Sequence, residues 1–443
     1  MSPPAARDSP PRRPCLLWFA AVAGLVFLEQ TWPYWRAAGW LAGVHADGPF
    51  HYACELARLS PTPFANDLAI QSNQSLGFYE TTYRAVGGLV KFTGWSLVTT
   101  NLILCWTGNL LYLAGVFTLL RRLGLADAWC GVGALLAGQP YGLIMMTSGV
   151  AHSLAIPREL WLWPMPWLVM WFAFGQRTGP RRLLFYGALG AIYGFTYPLW
   201  AALFGFAFGL VDGWQIAESK KYSDLAWLAA GGGLCVALVA APALAIANTT
   251  AGAESAVLDY NQITRSVYAS KGLRRYLLFV AAGLAAFWFL RKVAPEKNSP
   301  WRRLFALLVV TTGVCLIYEP FQRLARSLSL LYLGRLSLIG FLVSVVAVAD
   351  RARRIFAEVK TNPRATAGMI MCLNVPDPCT GSHCKFTAKM SISMMPSQKL
   401  GVASPRLAKI LQKLSSQVLT RTAAKIPRGM PRSTEMAMAA IAN

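Results

Sequence analysis

Long apolar runs separated by short polar turns set the pattern of this chain. Runs near membrane-spanning length recur at residues 15–32, 95–119, 128–147, 160–175, 183–197, 199–213, 225–247, 273–290, 302–318 and 328–349. A helix crossing a bilayer core needs about 20 mostly apolar residues. The pattern therefore predicts an all-α fold, a polytopic transmembrane helical bundle of about ten spans. Residues 183–213 are too long for one ordinary span. Pro198, after Tyr197, supplies the break, because proline removes a helix hydrogen bond and clashes with the preceding turn.

The longest polar interruption is residues 33–94, directly after the first run. It predicts two amphipathic helices lying near the membrane surface. The first starts at Pro49, behind Asp47 or Gly48 as cap. Phe50, Ala53, Cys54 and Ala57 form its apolar face, and His51, Glu55 and Arg58 the polar one. Ser60-Pro61-Thr62-Pro63 ends it. The second covers residues 75–92, with Leu76, Tyr79, Tyr83, Val86 and Val90 along one side.

Composition agrees with a membrane class. Of 443 residues, 55% are hydrophobic and 14% charged, with 16 Trp and a mean hydropathy of +0.42. A soluble domain could not bury that much apolar surface. The net charge of +23 points to anionic lipid headgroups and cytoplasmic loops, not to a nucleic-acid partner. With the N-terminus and its Arg12-Arg13 inside, ten spans place on the inner side Arg121-Arg122, Arg177 with Arg181-Arg182, Lys220-Lys221, Arg291-Lys292 with Arg302-Arg303, and Arg351 with Arg353-Arg354. Loops 33–94, 148–159, 248–272 and 319–327 then lie outside. The expected location is multi-pass in a bacterial inner (plasma) membrane. The first run lacks a convincing cleavage site before Glu29 and is read as an uncleaved span. The nine cysteines are scattered and predict neither a disulfide framework nor a zinc site.

Two regions are expected, a transmembrane part over 1–354 and a basic, low-order cytoplasmic tail over 355–443. The tail is rich in Lys, Arg, Ser and Met, shares no style with what precedes it, and is read as foreign to the fold. Residues 406–414 have the pattern of a short basic amphipathic helix on a membrane surface. Cys372, Cys379, His383 and Cys384 fit no standard zinc spacing. No internal repeat is evident.

Chemistry concentrates in His45-Ala46-Asp47-Gly48-Pro49-Phe50-His51-Tyr52, because acidic residues are scarce and Asp47 sits between two histidines beside the bilayer. Asp47 has two readings, a helix cap worth about 1 kcal/mol and a catalytic carboxylate. A metal held by His45, Asp47 and His51 is a third. Arg335, about two turns into the last run, is costly in a membrane unless it meets protein, water or a phosphate. Its alternative is snorkelling to the headgroups. Arg323 and Arg326, three residues apart, fall on one helical face near it, with Glu319 as a partner acid. Arg158 and Glu159 read as an interfacial ion pair or as part of the same site. Trp161, Trp163, Trp167 and Trp171 read as an interfacial belt.

This layout resembles the C-type superfamily of membrane glycosyltransferases. The long first outer loop holds an acidic residue soon after span one, then amphipathic helices, then many spans with short loops. Asp47-Gly48-Pro49-Phe50-His51-Tyr52, with Ala53 and Ala57, is similar to the start of that loop in family members. The resemblance covers about residues 15–350 and rests on layout more than on a fingerprint. No Asp-x-Asp or Asp-Glu pair is present, and the family's soluble C-terminal domain is replaced by the tail. The resemblance implies inverting transfer of a sugar from a polyprenyl-phosphate donor, a lipid-linked co-substrate, to an acceptor on the outer face. Asp47 would be the general base and Glu159 the second acidic residue. Substrate would meet His51, Arg158, Glu319, Arg323, Arg326 and Arg335. A divalent metal held by carboxylates is the alternative to a carboxylate base. The rival classes are a secondary transporter or lipid-carrier flippase, with Glu29 and Arg335 on its path, and a membrane protein without chemistry.

Overall fold

A computed structural model describes residues 12–36, 48–60, 62, 80–139, 141–143, 146–147, 149, 157–175, 178–194, 196–250, 272–288, 299–324 and 332–361. All of them belong to the first of two units, Met1–Thr366. The second, Ala367–Asn443, lies outside the described residues, and with it the tail's basic helix and cysteine cluster.

The described residues are helical apart from short connections and a minimal hairpin. Helix α1 is Arg12–Arg36, α2 Gly48–Leu59, α3 Glu80–Thr93, α4 Leu97–Arg122 and α5 Asp127–Gly138. Two-residue strands β1 (Gly142–Leu143) and β2 (Met146–Thr147) pair antiparallel. Then come α6 (Pro157–Leu160), α7 (Pro164–Phe174), α8 (Pro180–Gly194), α9 (Pro198–Ser219) and α10 (Ser223–Thr250). Helix α11 spans 272–288 and α12 is Pro300–Leu324. A 3-10 turn, Leu333–Leu336, leads into α13, Ser337–Thr361.

Among the described residues, five helical stretches are long and apolar enough to cross a membrane: Leu97–Arg122, Pro198–Ser219, Ser223–Ala240, Pro300–Tyr318 and Leu333–Glu358. Their length and composition mark an integral membrane protein. Five is fewer than the ten runs of the sequence, and the reason is length. Helices α5, α7 and α8 have 12, 11 and 15 residues. At about 1.5 Å per residue they reach roughly 17–23 Å, against a hydrocarbon core of about 30 Å. The apolar part of α1 covers Leu16–Leu28. The third run, expected to continue to residue 147, stops at Gly138 and gives way to the hairpin.

The α13 stretch is the central one, with 89% of its apolar window buried, whereas Ser223–Ala240 has 11% buried and presents its side chains outward. Helix α8 packs most extensively on α10. Glycines make this possible: a Cβ at Gly194 would lie 2.7 Å from the Leu238 carbonyl oxygen, and one at Gly190 2.9 Å from the Cys235 Cα. Small residues at such contacts let helix backbones approach where no hydrophobic force separates protein from lipid tails. Phe172, Phe185, Trp200, Phe204 and Phe208 fill the core between α7, α8 and α9, with Trp200 stacked on Phe204 at 5.1 Å. The chain breaks between α8 and α9 at Tyr197-Pro198, with Pro198 in the first turn of α9, where its missing N–H costs nothing.

One end of the bundle, here the basic end, is tied by buried charge. Arg182, at the start of α8, is 3% exposed. Its guanidinium lies 2.7 Å from the Asp224 carboxylate of α10 and 3.9 Å from that of Asp212 on α9. The Tyr186 hydroxyl donates to Asp212 at 2.9 Å. Arg303, at the start of α12, donates to the carbonyls of Ala173 (3.1 Å) and Gly175 (2.5 Å), closing the C-terminal end of α7. The Arg181-Arg182 pair thus divides: Arg181 is exposed and Arg182 is a core cation.

Candidate functional site

The opposite end, which carries α2 and α3, holds a second set of buried polar groups. Helix α2 packs on α3, and α3 on α4. Its inward side differs from the expectation. Cys54 and Ala57 are buried as the apolar pattern requires, but His51 (3% exposed) and Glu55 (1%) are buried with them. Positions 51, 54, 55 and 58 follow the i, i+3, i+4, i+7 rhythm of one face. The helix therefore turns part of its polar stripe inward, where each group needs a partner.

Those partners come from α3 and α4. His51 Nδ1 is 2.7 Å from the Tyr83 hydroxyl. Asn101 Nδ2 donates to Glu55 Oε2 at 2.6 Å. Glu55 Oε1 is buried with no hydrogen-bond partner. Loss of water pushes the Glu55 carboxyl up to about 8, and the Asn101 bond only partly opposes this. At neutral pH Glu55 is thus mostly a neutral acid. The same burial, with Glu55 nearby, raises Tyr52.

Helix α3 fixes this layer to the bundle. The Thr82 hydroxyl donates to the Thr196 carbonyl at 3.2 Å and accepts from the Trp161 indole at 3.0 Å. Thr196 precedes Tyr197, whose hydroxyl accepts from Arg335 Nη1 at 2.6 Å. The Arg335 guanidinium also lies 4.4 Å from the ring centroid of Tyr332. Tyr332 takes a left-handed backbone conformation (φ 51°) to start the 3-10 turn. Arg335 is 8% exposed, its Nε has no hydrogen-bond partner, and no described carboxylate pairs with it. A buried guanidinium held by one neutral hydroxyl and one ring is under-compensated.

Arg158 and Glu159, on the one-turn helix α6, are half-buried. The Arg158 carbonyl accepts from the Trp200 indole at 3.1 Å, and Trp200 sits 5.4 Å, ring to ring, from Tyr197. Glu159 acts electrostatically on Cys105, one turn along α4 from Asn101. The structure thus links Arg335 to α3 through Tyr197, Thr196 and Thr82, sets the Arg158 backbone beside Tyr197 through Trp200, and holds His51 of α2 against Tyr83 of α3.

The remaining expected residues are not placed by it. Asp47, His45 and Arg326 lie outside the described residues. Glu319 and Arg323 belong to the last turns of α12, and Glu29 to α1, but their side chains are likewise outside the description. Among the described residues no cluster of His, Cys, Asp or Glu could hold a metal ion.

Glu55, Asn101, Thr82, Tyr197, Asp212 and Asp224 were passed over in the sequence. Asn101 had a legible signal: with Cys105 and Asn109 it forms an i, i+4, i+8 polar stripe inside an apolar helix, which calls for an inward partner. Asp212 likewise is ionisable inside an apolar run. Comparison with protein-family models gives no match, and comparison with curated proteins gives none.

Proposed function

We propose that the chain is a multi-pass membrane glycosyltransferase with the C-type layout. It would move a sugar from a polyprenyl-phosphate donor to an acceptor at the membrane face that carries α2 and α3. The ten-span arrangement belongs to this reading. In its favour, each of the ten apolar runs overlaps a described helix, and the short ones are covered by neighbours from which broken spans can draw hydrogen-bond partners.

The observation that carries the proposal is Arg335. A buried cation with a hydroxyl, an aromatic face and no carboxylate among the described residues suits a phosphate that arrives with the substrate. In the reaction, the acceptor hydroxyl attacks the anomeric carbon, the carbon–oxygen bond to phosphate breaks, and the polyprenyl phosphate leaves carrying the negative charge that Arg335 meets. The acceptor proton passes to a carboxylate. Glu55, neutral at pH 7, is a poor base, so this role stays with Asp47, and Glu159 is the second acidic group. Arg158, His51, Glu319, Arg323 and Arg326 complete the substrate contacts of the proposal.

The test is transfer of label from a polyprenyl-phosphate hexose, radiolabelled in the sugar, by membranes containing the full chain. Arg335→Met and Asp47→Asn should each lower transfer at least tenfold relative to wild type. Transfer that persists in both variants would remove the proposed site. A proton-coupled transporter is the second reading, and Glu55 favours it, since a buried carboxyl poised near pH 8 can load and release a proton. That reading requires solute uptake into proteoliposomes to depend on a pH gradient and to be lost in Glu55→Gln.

A further inference from the structure

At the basic end a groove of about 540 Å³ opens between the ends of α9, α11 and α12. Its walls carry Trp214, Phe287, Trp288 and Trp301, and its polar groups include Glu218 and Arg302. Trp288 is 68% and Trp214 47% exposed. The three helix ends belong to the charge-rich side of the bundle, beside Lys220-Lys221 and Arg303. Tryptophans at such a level sit where headgroups meet hydrocarbon.

A concave apolar space at this depth has a defined neighbour. Water gains few hydrogen bonds in it, whereas an acyl chain of the adjoining leaflet fills it with no polar cost. The polar corner selects the headgroup. Arg302 donates to the Glu218 carboxylate, and the two side chains are 33% and 32% exposed, so both remain part-accessible while paired. A phosphate can meet the guanidinium only if the neighbouring carboxylate is also satisfied. A headgroup carrying both a phosphate and a primary ammonium does this, matching anion to Arg302 and hydrogen-bonding cation to Glu218. A glycerol headgroup carries the same phosphate but offers Glu218 neutral hydroxyls in place of a cation, leaving the carboxylate's charge unmatched, and a quaternary ammonium offers that carboxylate no hydrogen bond.

We propose that this groove is a binding site for one zwitterionic phospholipid with a primary-amine headgroup, its acyl chain among the indoles, its phosphate on Arg302 and its ammonium on Glu218. The site is separate from Arg335 and does not depend on the transferase reading.

The experiment uses the full chain in vesicles of phosphatidylcholine doped with a photoactivatable phosphatidylethanolamine, with labelled peptides mapped by mass spectrometry. Label should fall on the segments around Trp214, Trp288 and Trp301. Unlabelled phosphatidylethanolamine should compete at least tenfold better than phosphatidylglycerol, and phosphatidylcholine should compete less well than phosphatidylethanolamine. Glu218→Gln should erase the preference over phosphatidylglycerol, while Arg302→Gln should weaken competition by both. Trp288→Ala, at a position 68% exposed, should lower labelling several-fold. Equal competition by phosphatidylglycerol or phosphatidylcholine in wild type, an unchanged preference in Glu218→Gln, or label spread evenly round the bundle would each overturn the proposal.

Discussion

The two ends of the bundle both bury arginine, and they treat it oppositely. At the basic end Arg182 faces two carboxylates, one of them at 2.7 Å, and a tyrosine completes the set by binding Asp212. At the other end Arg335 has a tyrosine hydroxyl and an aromatic ring, and Glu55 has one amide and an empty oxygen. A buried, charge-matched set such as that of Arg182 holds helices together and has little left to offer a ligand, even though Arg182 Nε and Nη1 meet their carboxylates without hydrogen-bond geometry. The part-exposed Arg302–Glu218 pair is of a different kind. An open buried set costs stability and is kept where something else completes it. This contrast separates scaffold from site, and substitutions at either end can break it.

The largest effect is expected at Arg182. Arg182→Ala takes from Asp212 and Asp224 the guanidinium they share, leaving Arg303 to act on Asp212 and Lys221 on Asp224 only at longer range. Removing one partner of a buried pair costs about 3–5 kcal/mol. Thermal unfolding in detergent should show a drop of that size. Asp212→Ala combined with Arg182→Ala should cost clearly less than the sum of the two single changes. Additive losses would mean that the pair is not coupled.

Arg335→Met should behave in the opposite way. It removes an under-compensated cation and takes one hydrogen bond from the Tyr197 hydroxyl, a loss of about 1–3 kcal/mol offset by the relief of desolvation. The net change should stay below about 2 kcal/mol, while affinity for polyprenyl phosphate in a vesicle-binding assay falls at least tenfold. Destabilisation as large as that of Arg182→Ala would make Arg335 part of the scaffold and close the contrast.

How much of this was legible in the sequence follows from what a one-dimensional pattern can carry. Apolar runs and Pro198 located the helices and the break at Tyr197, because membrane burial and helix geometry leave a periodic trace. The run at 128–147 misled because hydropathy records whether a segment is buried, not whether its backbone is helical, and the hairpin at 142–147 is as apolar as a helix. Arg335 stood out as a charge in an apolar run. Glu55 did not, because on an amphipathic helix a polar stripe normally faces water. Only its partner Asn101, forty-six residues away, reverses that reading. Arg182 reads as an ordinary loop charge and Asp224 carries no signal of its own for the same reason: pairing across elements has no local signature.

Glu55 gives a pH-dependent test of the open end. Its carboxyl moves from 4.5 to about 8 on burial, so the folded chain binds a proton that the unfolded chain has released. Stability should be full below about pH 4.5, fall as pH rises from there towards 8, and lose nothing further from this group above 8. The slope is at most about 1.4 kcal/mol per pH unit. Glu55→Gln keeps a neutral group against Asn101 and should flatten that part of the profile, leaving the variant more stable than wild type at pH 8. A variant profile that parallels wild type would show that Glu55 titrates normally and that the open end is less desolvated than its burial implies.

The smallest effect probes the layer that covers the site. Tyr83→Phe keeps the ring in its buried place beside Cys54 and Ala57 and removes the hydroxyl that meets His51. One neutral hydrogen bond contributes about 1 kcal/mol, and His51, 3% exposed, has little access to water to replace it. The loss should appear as faster hydrogen exchange in α2 and α3, with the protection of α8 and α9 unchanged, because Arg182, Asp212 and Tyr186 tie those helices independently. If α8 and α9 loosen as well, the two ends act as one cooperative unit. Thr82, which joins α3 to the Thr196 carbonyl just past α8, would then be the link, and Thr82→Val should reproduce the loosening with His51 and Tyr83 intact.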